Sequence, residues 1–236
     1  MNTPKTCLSR KRTYFLLLLF SFASAGIGFS KLNKSESVQT LCTNINTLYS
    51  QLHLSQSGLK RDVFEKAMTG WNALHDTMHM TDLLSIADLS QSSNAKRLYV
   101  IDIKNKKLLY QTYVSHGRNS GEEYASLFSN HPESYKTCLG FYLTGTPYQG
   151  KHGLSLQLKG LEAGINDLAE ARAIVVHGAE YVSDTFIHRF GRLGRSLGCP
   201  AIPVELCQPI INTIKAGSCF FIYSPDAHYL VSSKLK

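Results

Sequence analysis

The chain has 236 residues, with 25 Lys and Arg against 17 Asp and Glu, and is 43% hydrophobic. Lys5, Arg10, Lys11 and Arg12 account for four of the basic residues, so the formal charge of +8 falls to +4 over the remainder. That composition suits a globular protein with a real core and a mild affinity for anions. No basic stripe with interleaved aromatics argues for a nucleic-acid partner.

The four basic residues open a leader. An apolar run from Tyr14 to Phe22 and the small residues Ala23-Ser24-Ala25 complete the pattern of a secretory signal peptide over residues 1–25. The run is too short to span a membrane, so no stable span is expected once the leader is cleaved. The expected location is the periplasm or cell envelope. Residues 26–37 read as a flexible polar leader.

Val38, Leu41, Cys42, Ile45, Leu48, Tyr49 and Leu52 recur at helical spacing, and so do Leu59, Val63, Phe64, Ala67, Met68, Trp71 and Leu74. A small N-terminal helical segment is expected over residues 38–90, a catalytic domain over 91–228 and a tail over 229–236. From Arg97 the pattern changes to short strands: Leu98–Ile103, Leu108–Val114, Leu139–Thr144, Leu154–Leu158, Ala173–His177 and Cys219–Tyr223. Two helices interrupt them. One runs from Asp184 to Phe190, between Ser183 as N-cap and Gly191 as stop. The other starts near Pro203 and ends at Gly217, with a kink or break expected at Pro209. The fold class is α+β, mainly β, with a sandwich or barrel-like core.

Without Cys7 in the leader, five cysteines remain: Cys42, Cys138, Cys199, Cys207 and Cys219. An odd count in an exported chain leaves at least one free thiol. The other four either form up to two bridges or are reduced, buried and apolar, and the absence of a tight framework favours the second. Neither His-Glu-x-x-His nor Cys-x-x-Cys occurs, so no metal and no cofactor is expected.

One cysteine stands apart, in Gly194-Arg195-Ser196-Leu197-Gly198-Cys199-Pro200, after a strand ending in His177-Gly178. A thiol attacks as its thiolate, and an adjacent imidazole supplies the base. A glycine before the nucleophile lets backbone N–H groups approach a developing oxyanion. In papain-like enzymes the cysteine precedes its histidine, the reverse of the order here.

His177-Gly178, followed 22 positions later by Cys199, resembles the signature of the YkuD-type L,D-transpeptidases. The likeness is closest to their divergent murein L,D-transpeptidase catalytic-domain branch, with its Gly-Arg-Ser-x-Gly-Cys-Pro pattern. The collinear pieces Val114–Gly121, Gly140-Phe141-Tyr142, Tyr148–Gly153, Arg172–Ala179, Ile86–Ser90 and Arg97–Asp102 extend it from about Leu59 to about Pro225. The chain departs from the commoner family pattern at Leu197, where a histidine is usual, and at Pro200-Ala201, where an arginine or asparagine is usual.

The resemblance implies a peptidoglycan transpeptidase. Cys199 is the nucleophile, His177 the base, and the Gly178 carbonyl orients the imidazole. N–H groups of Gly198 and Cys199 hold the oxyanion, and Ser196 supports the loop. Arg195 and Arg192 replace the missing carboxylate clamp, with His116 and Tyr142 as further substrate contacts. A thiol reactive below pH 7 is expected. The partners implied are peptidoglycan stem peptides and carbapenem-type inhibitors, and the product is a 3→3 crosslink between stems. Water as acceptor gives L,D-carboxypeptidase activity instead, and an inactive cell-envelope binding module is the non-catalytic alternative. The Lys151-His152 pair between two glycines reads as a surface turn, with a functional loop as the alternative.

Overall fold

Two strands buried along their whole length lie side by side in the interior of one sheet. A computed structural model describes residue 1 and residues 44–236. The expected signal peptide, the leader 26–37, the start of the first helical repeat and Cys42 lie outside the described residues.

Residues 44–51 are helical (α1). Leu54–Ser57 (α2) and Arg61–Ala73 (α3) follow, with a short 3₁₀ turn at His75–Thr77. Eight strands come next: β1 Leu83–Asp88, β2 Leu98–Asp102, β3 Lys107–Thr112, β4 Gly140–Gly150, β5 Gly153–Gly160, β6 Val175–Gly178, β7 Ala201–Ile202 and β8 Cys219–Tyr223. The helices Asp184–Phe190 (α4), Val204–Ile214 (α5) and Ala227–Ser232 (α6) lie between and after them. The sheet order is β3-β2-β1-β8-β4-β5-β6-β7. Only the β1–β8 and β6–β7 pairs are parallel. β1 and β8 are buried along their whole length, as expected of strands covered on both faces.

The two edges of this order meet. Past β3, the Ser115 N–H donates to the Ala201 carbonyl of β7 at 2.8 Å. Gly117 and Ser196 then form a parallel bridge. The core is therefore mainly β and barrel-like, with few free edges.

Helix α3 explains why the sheet is closed off on its N-terminal side. Val63, Phe64, Ala67 and Met68 face inward at helical spacing. Gly70 sits directly on the Phe141 ring, and a Cβ there would fall 2.1 Å from its Cζ. Phe141 in turn stacks on Phe221 with ring centroids 4.1 Å apart.

Several boundaries differ from the expectation. The helical segment ends at Thr77, and β1, expected inside it, belongs to the middle of the sheet. The expected tail carries α6, whose Tyr229 is 2% exposed and donates to the buried Glu162 carboxylate at 3.4 Å. Ser233 also donates to Glu162. Helix α5 runs without a break through Pro209. The proline removes an N–H whose acceptor would be the carbonyl of Glu205, an exposed residue, so no buried bond is lost. By contrast, α4 has its expected bounds, with Ser183 Oγ accepting from Phe186 N and Gly191 in the left-handed conformation.

An alanine in an exposed helix interior is worth about 1 kcal/mol over glycine. At position 70 the sign reverses, because overpacking costs about 1–3 kcal/mol. Gly70→Ala is expected to lower the urea midpoint at unchanged m-value, and an added Phe141→Leu to recover part of the loss.

Candidate active site

Sheet register brings the histidine and the cysteine together. His177, near the end of β6, pairs with Ser155 of β5 on one side and with Ala201 of β7 on the other. Cys199 lies two residues before Ala201, so the turn that enters the parallel strand β7 sets its sulfur level with Val175, at the start of β6. Both residues line one open cleft of about 340 Å³. Its walls come from Tyr148, Lys151 and His152 of the β4–β5 hairpin, Ser155, Arg172–Val175, Tyr181 and Arg195–Leu197.

His177 is 2% exposed. Its Nδ1 lies 3.0 Å from the Gly178 carbonyl. A carbonyl only accepts, so Nδ1 carries the proton and Nε2 keeps its lone pair. Burial pushes the imidazole below its ordinary range, with the charges of His152 and Lys151 adding to the shift and the Gly178 bond opposing it. A side chain at Gly178 would crowd α5, since a Cβ would sit 3.1 Å from Cys207 Cβ and 3.2 Å from Val204 Cα.

Cys199 is half-buried, and its Sγ lies 3.7 Å from the Ala173 carbonyl. Burial pushes its thiol up, against the Val175 N–H and the charges of Arg172 and Lys151, which favour the thiolate. Both shifts favour the uncharged forms, and for Cys199 burial weighs more than the nearby cations, a direction opposite to the one that reactivity below pH 7 requires.

The turn before Cys199 is held from several sides. Ser196 Oγ donates to the Cys199 carbonyl at 2.6 Å and accepts from Gly198 N at 3.0 Å. Thr137 Oγ1 donates to the Gly198 carbonyl at 3.2 Å and accepts from Gly117 N at 2.9 Å. Gly198 adopts φ +130°, and a Cβ there would fall 2.9 Å from the Lys136 carbonyl oxygen. Only glycine fits on both counts. Because Ser196 occupies the Gly198 N–H, the expected pair of oxyanion donors is left with the Cys199 N–H.

The other expected contacts have different surroundings. His116 is 1% exposed, with Nδ1 2.8 Å from an Arg97 nitrogen and Nε2 3.3 Å from the Gly121 carbonyl. Neither ring nitrogen is left for a substrate. Tyr142 is fully buried, and its hydroxyl donates to the Cys138 carbonyl at 2.8 Å. Arg192 pairs with Glu122 at 2.8 Å and does not line the cleft. Arg195 lines it, but its guanidinium donates to Glu122 at 2.6 Å and to the Arg118 and Gly121 carbonyls. Arg172, Tyr181 and the hairpin turn enter the cleft without having been singled out as its residues. The strand-end position of Arg172, directly before Ala173–His177, was the one signal available for it.

Cys138, Cys199, Cys207 and Cys219 carry free thiols. Among the described residues, no three or more His, Cys, Asp or Glu side chains are grouped to hold a metal. Among them, too, no helix is long and apolar enough to cross a membrane.

The burial of His116 is expected to make the fold acid-sensitive. Burial and the adjacent Arg97 guanidinium lower its pKa from 6.5 to about 4. Above the unfolded value both states are neutral and the contribution is intact. As pH falls from 6.5 toward 4 only the unfolded ring takes a proton, so stability drops by about 1.4 kcal/mol per unit, about 3 kcal/mol in all. Urea unfolding at pH 7 and pH 4.5 is expected to show most of that drop in the native chain and a smaller one in His116→Asn.

Solved structures similar to this chain include an L,D-transpeptidase from Mycobacterium smegmatis, at 12% identity over 61% of this chain and 59% of that one, with TM-score 0.37. The L,D-transpeptidase LdtMt1 in complex with imipenem matches at 12% identity over 60% and 59%, TM-score 0.39. L,D-transpeptidase 3 from Mycobacterium tuberculosis, in complex with a faropenem-derived adduct, matches at 14% identity over 61% and 60%, TM-score 0.38. In each case this chain spans less than two thirds of the other's length. No curated protein matches by sequence. Residues 55–223, well over half of the chain, match the YkuD_2 L,D-transpeptidase catalytic domain, and the chain belongs to that family.

Proposed function

We propose that the protein is a peptidoglycan L,D-transpeptidase working through a thioester on Cys199. The observation that carries this reading is the shared cleft. Cys199 and His177 both line it, and the imidazole is held through Nδ1 with Nε2 unprotonated. Family membership supplies the reaction type.

In the proposed sequence, the Cys199 thiol proton passes to His177 Nε2 as sulfur attacks the carbonyl of the third residue of a tetrapeptide stem. The Cys199 N–H stabilises the oxyanion. The bond to the terminal D-Ala breaks, and its amine leaves with the proton from His177. An amine from a neighbouring stem then attacks the thioester, forms the 3→3 amide and returns the thiol. Water in the same place gives the shortened stem. Carbapenem-type inhibitors would acylate the same sulfur. Export to the periplasm or envelope is part of the reading and rests on residues 1–25.

Incubation with tetrapeptide muropeptides, followed by mass spectrometry, tests the proposal. The native chain is expected to show an acyl adduct and D-Ala release. Cys199→Ala is expected to lose both while unfolding at an unchanged urea midpoint. His177→Ala should slow acylation about 10²–10⁴-fold. Acylation needs the neutral imidazole, whose pKa lies below the ordinary 6.5. The acid limb of the rate profile is therefore expected below that pH and should vanish in His177→Ala. Full D-Ala release by Cys199→Ala would refute the mechanism, and a folded chain that binds muropeptides without any adduct would favour the binding module.

A further inference from the structure

The β4–β5 hairpin turns through two residues, Lys151 and His152, between the paired Gly150 and Gly153. Two observations place this turn at the site. The His152 ring stacks on the His177 ring, with centroids 4.5 Å apart and planes 21° apart. Lys151 and His152 both line the cleft that holds Cys199. Its position is set by the sheet, because Ser155, two residues beyond the turn, is the cross-strand partner of His177.

Among the described residues, the cleft is lined by three permanent cations, Lys151, Arg172 and Arg195, and by no carboxylate. Two of the three are engaged within the protein. Arg172 donates to the Ser129 and Lys136 carbonyls at 2.7 and 2.6 Å. Arg195 donates to Glu122 and to two carbonyls. The Lys151 ammonium has no partner among the described residues. Its charge acts on both Cys199 and His177. An ammonium has three donors and no acceptor, so its complement is an anion.

We propose that the Lys151–His152 turn reads a free carboxylate on the acyl donor. His152 seats the turn on the His177 ring, and the Lys151 ammonium pairs with a carboxylate of the molecule whose carbonyl reaches Cys199. The substrate class is then a peptide donor with an unamidated carboxylate near the scissile carbonyl. The role rests on the acyl-transfer reading for its substrate, and it fills the place expected of Arg192 and Arg195, whose guanidinium groups are paired with Glu122.

Alkylation of Cys199 tests the charge reading without any stem peptide. Iodoacetate and iodoacetamide undergo the same step, displacement of iodide by the thiolate, and differ in one negative charge. Their rates at the Cys199 peptide are compared by mass spectrometry at pH 9, near the ordinary thiol value. Dividing one rate by the other cancels any change in thiol ionisation. Lys151→Gln is expected to lower the iodoacetate-to-iodoacetamide ratio about fivefold, the discrimination of a solvent-accessible ion pair. Lys151→Glu should lower it further, and Lys151→Arg should preserve it. His152→Ala should also lower it, which a freely moving surface charge would not show. About 0.5 M salt should compress the native ratio toward that of Lys151→Gln.

An equal ratio in the native chain, Lys151→Gln and Lys151→Glu overturns the proposal, even if thioester formation on stem peptides proceeds normally. A ratio that falls as expected, with no adduct on any stem peptide, keeps the carboxylate contact and sinks the acyl-transfer reading. A Cys199 inert to both reagents removes the open cleft and sinks both.

Discussion

The position of Cys199 depends on one buried guanidinium. Arg97 is fully buried and donates to the Val114 carbonyl at 3.2 and 3.0 Å, to the Gln91 carbonyl at 2.7 Å and to His116 Nδ1 at 2.8 Å. Burial lowers its pKa to about 10, against the nearby Asp88, and it stays charged at neutrality. A charge taken out of water is tolerated only where its donors are met. Here the Gln91 carbonyl belongs to the β1–β2 connection, and the Val114 carbonyl and His116 Nδ1 to the segment that continues β3. That segment closes the barrel, through Ser115 N to the Ala201 carbonyl, Ser196 N to the His116 carbonyl and Arg118 N to the Ser196 carbonyl. The loop carrying Cys199 thus leans on a strap that Arg97 fixes. His116-Gly117 and His177-Gly178 look alike in sequence and have opposite tasks. The first imidazole has both nitrogens bonded within the fold, and the second has only Nδ1 held.

The turn itself is over-determined. Ser196 and Thr137 each bind two backbone groups around Gly198, and each such bond is worth about 1 kcal/mol net. Together they hold a backbone conformation that only glycine adopts. In the proposed reaction, a Cys199 N–H fixed in this way needs no reorganisation when charge develops beside it, which is how a preorganised donor lowers a barrier.

What could be read from the sequence was what local chemistry decides. Helix α4 was legible because Ser183 and Gly191 cap it through bonds within one turn. β8 was legible as an unbroken apolar run. β1 was not, because Ser85 and Asp88 interrupt its pattern and both are fully buried in the folded chain. β7, two residues long, has no periodicity to read. At the site, Cys199 and His177 stood out because glycine and strand ends mark them. The neighbourhoods of Arg192 and Arg195 were illegible, since both depend on Glu122, about 70 positions upstream. Tyr142 belongs to a matching segment yet faces the core. The Lys151–His152 turn looked like ordinary surface because nothing local announces a ring stacked from another strand.

The electrostatics of the cleft bear on the thioester route proposed for it. Burial disfavours charge on sulfur and on imidazole alike, so a standing thiolate–imidazolium pair would have to repay two desolvation costs before any substrate arrived. Proton transfer is instead best coupled to attack, when the negative charge leaves sulfur for the oxyanion and meets a fixed N–H. The cations lining the cleft favour that movement, because Arg172 and Lys151 stabilise negative charge near Cys199 wherever it resides. In the two proposals, an anionic donor pairs with Lys151 while the backbone donor of the Gly198–Cys199 turn stays free for the developing oxyanion, so the cleft wall serves binding and the turn adds a donor used only as the barrier is crossed.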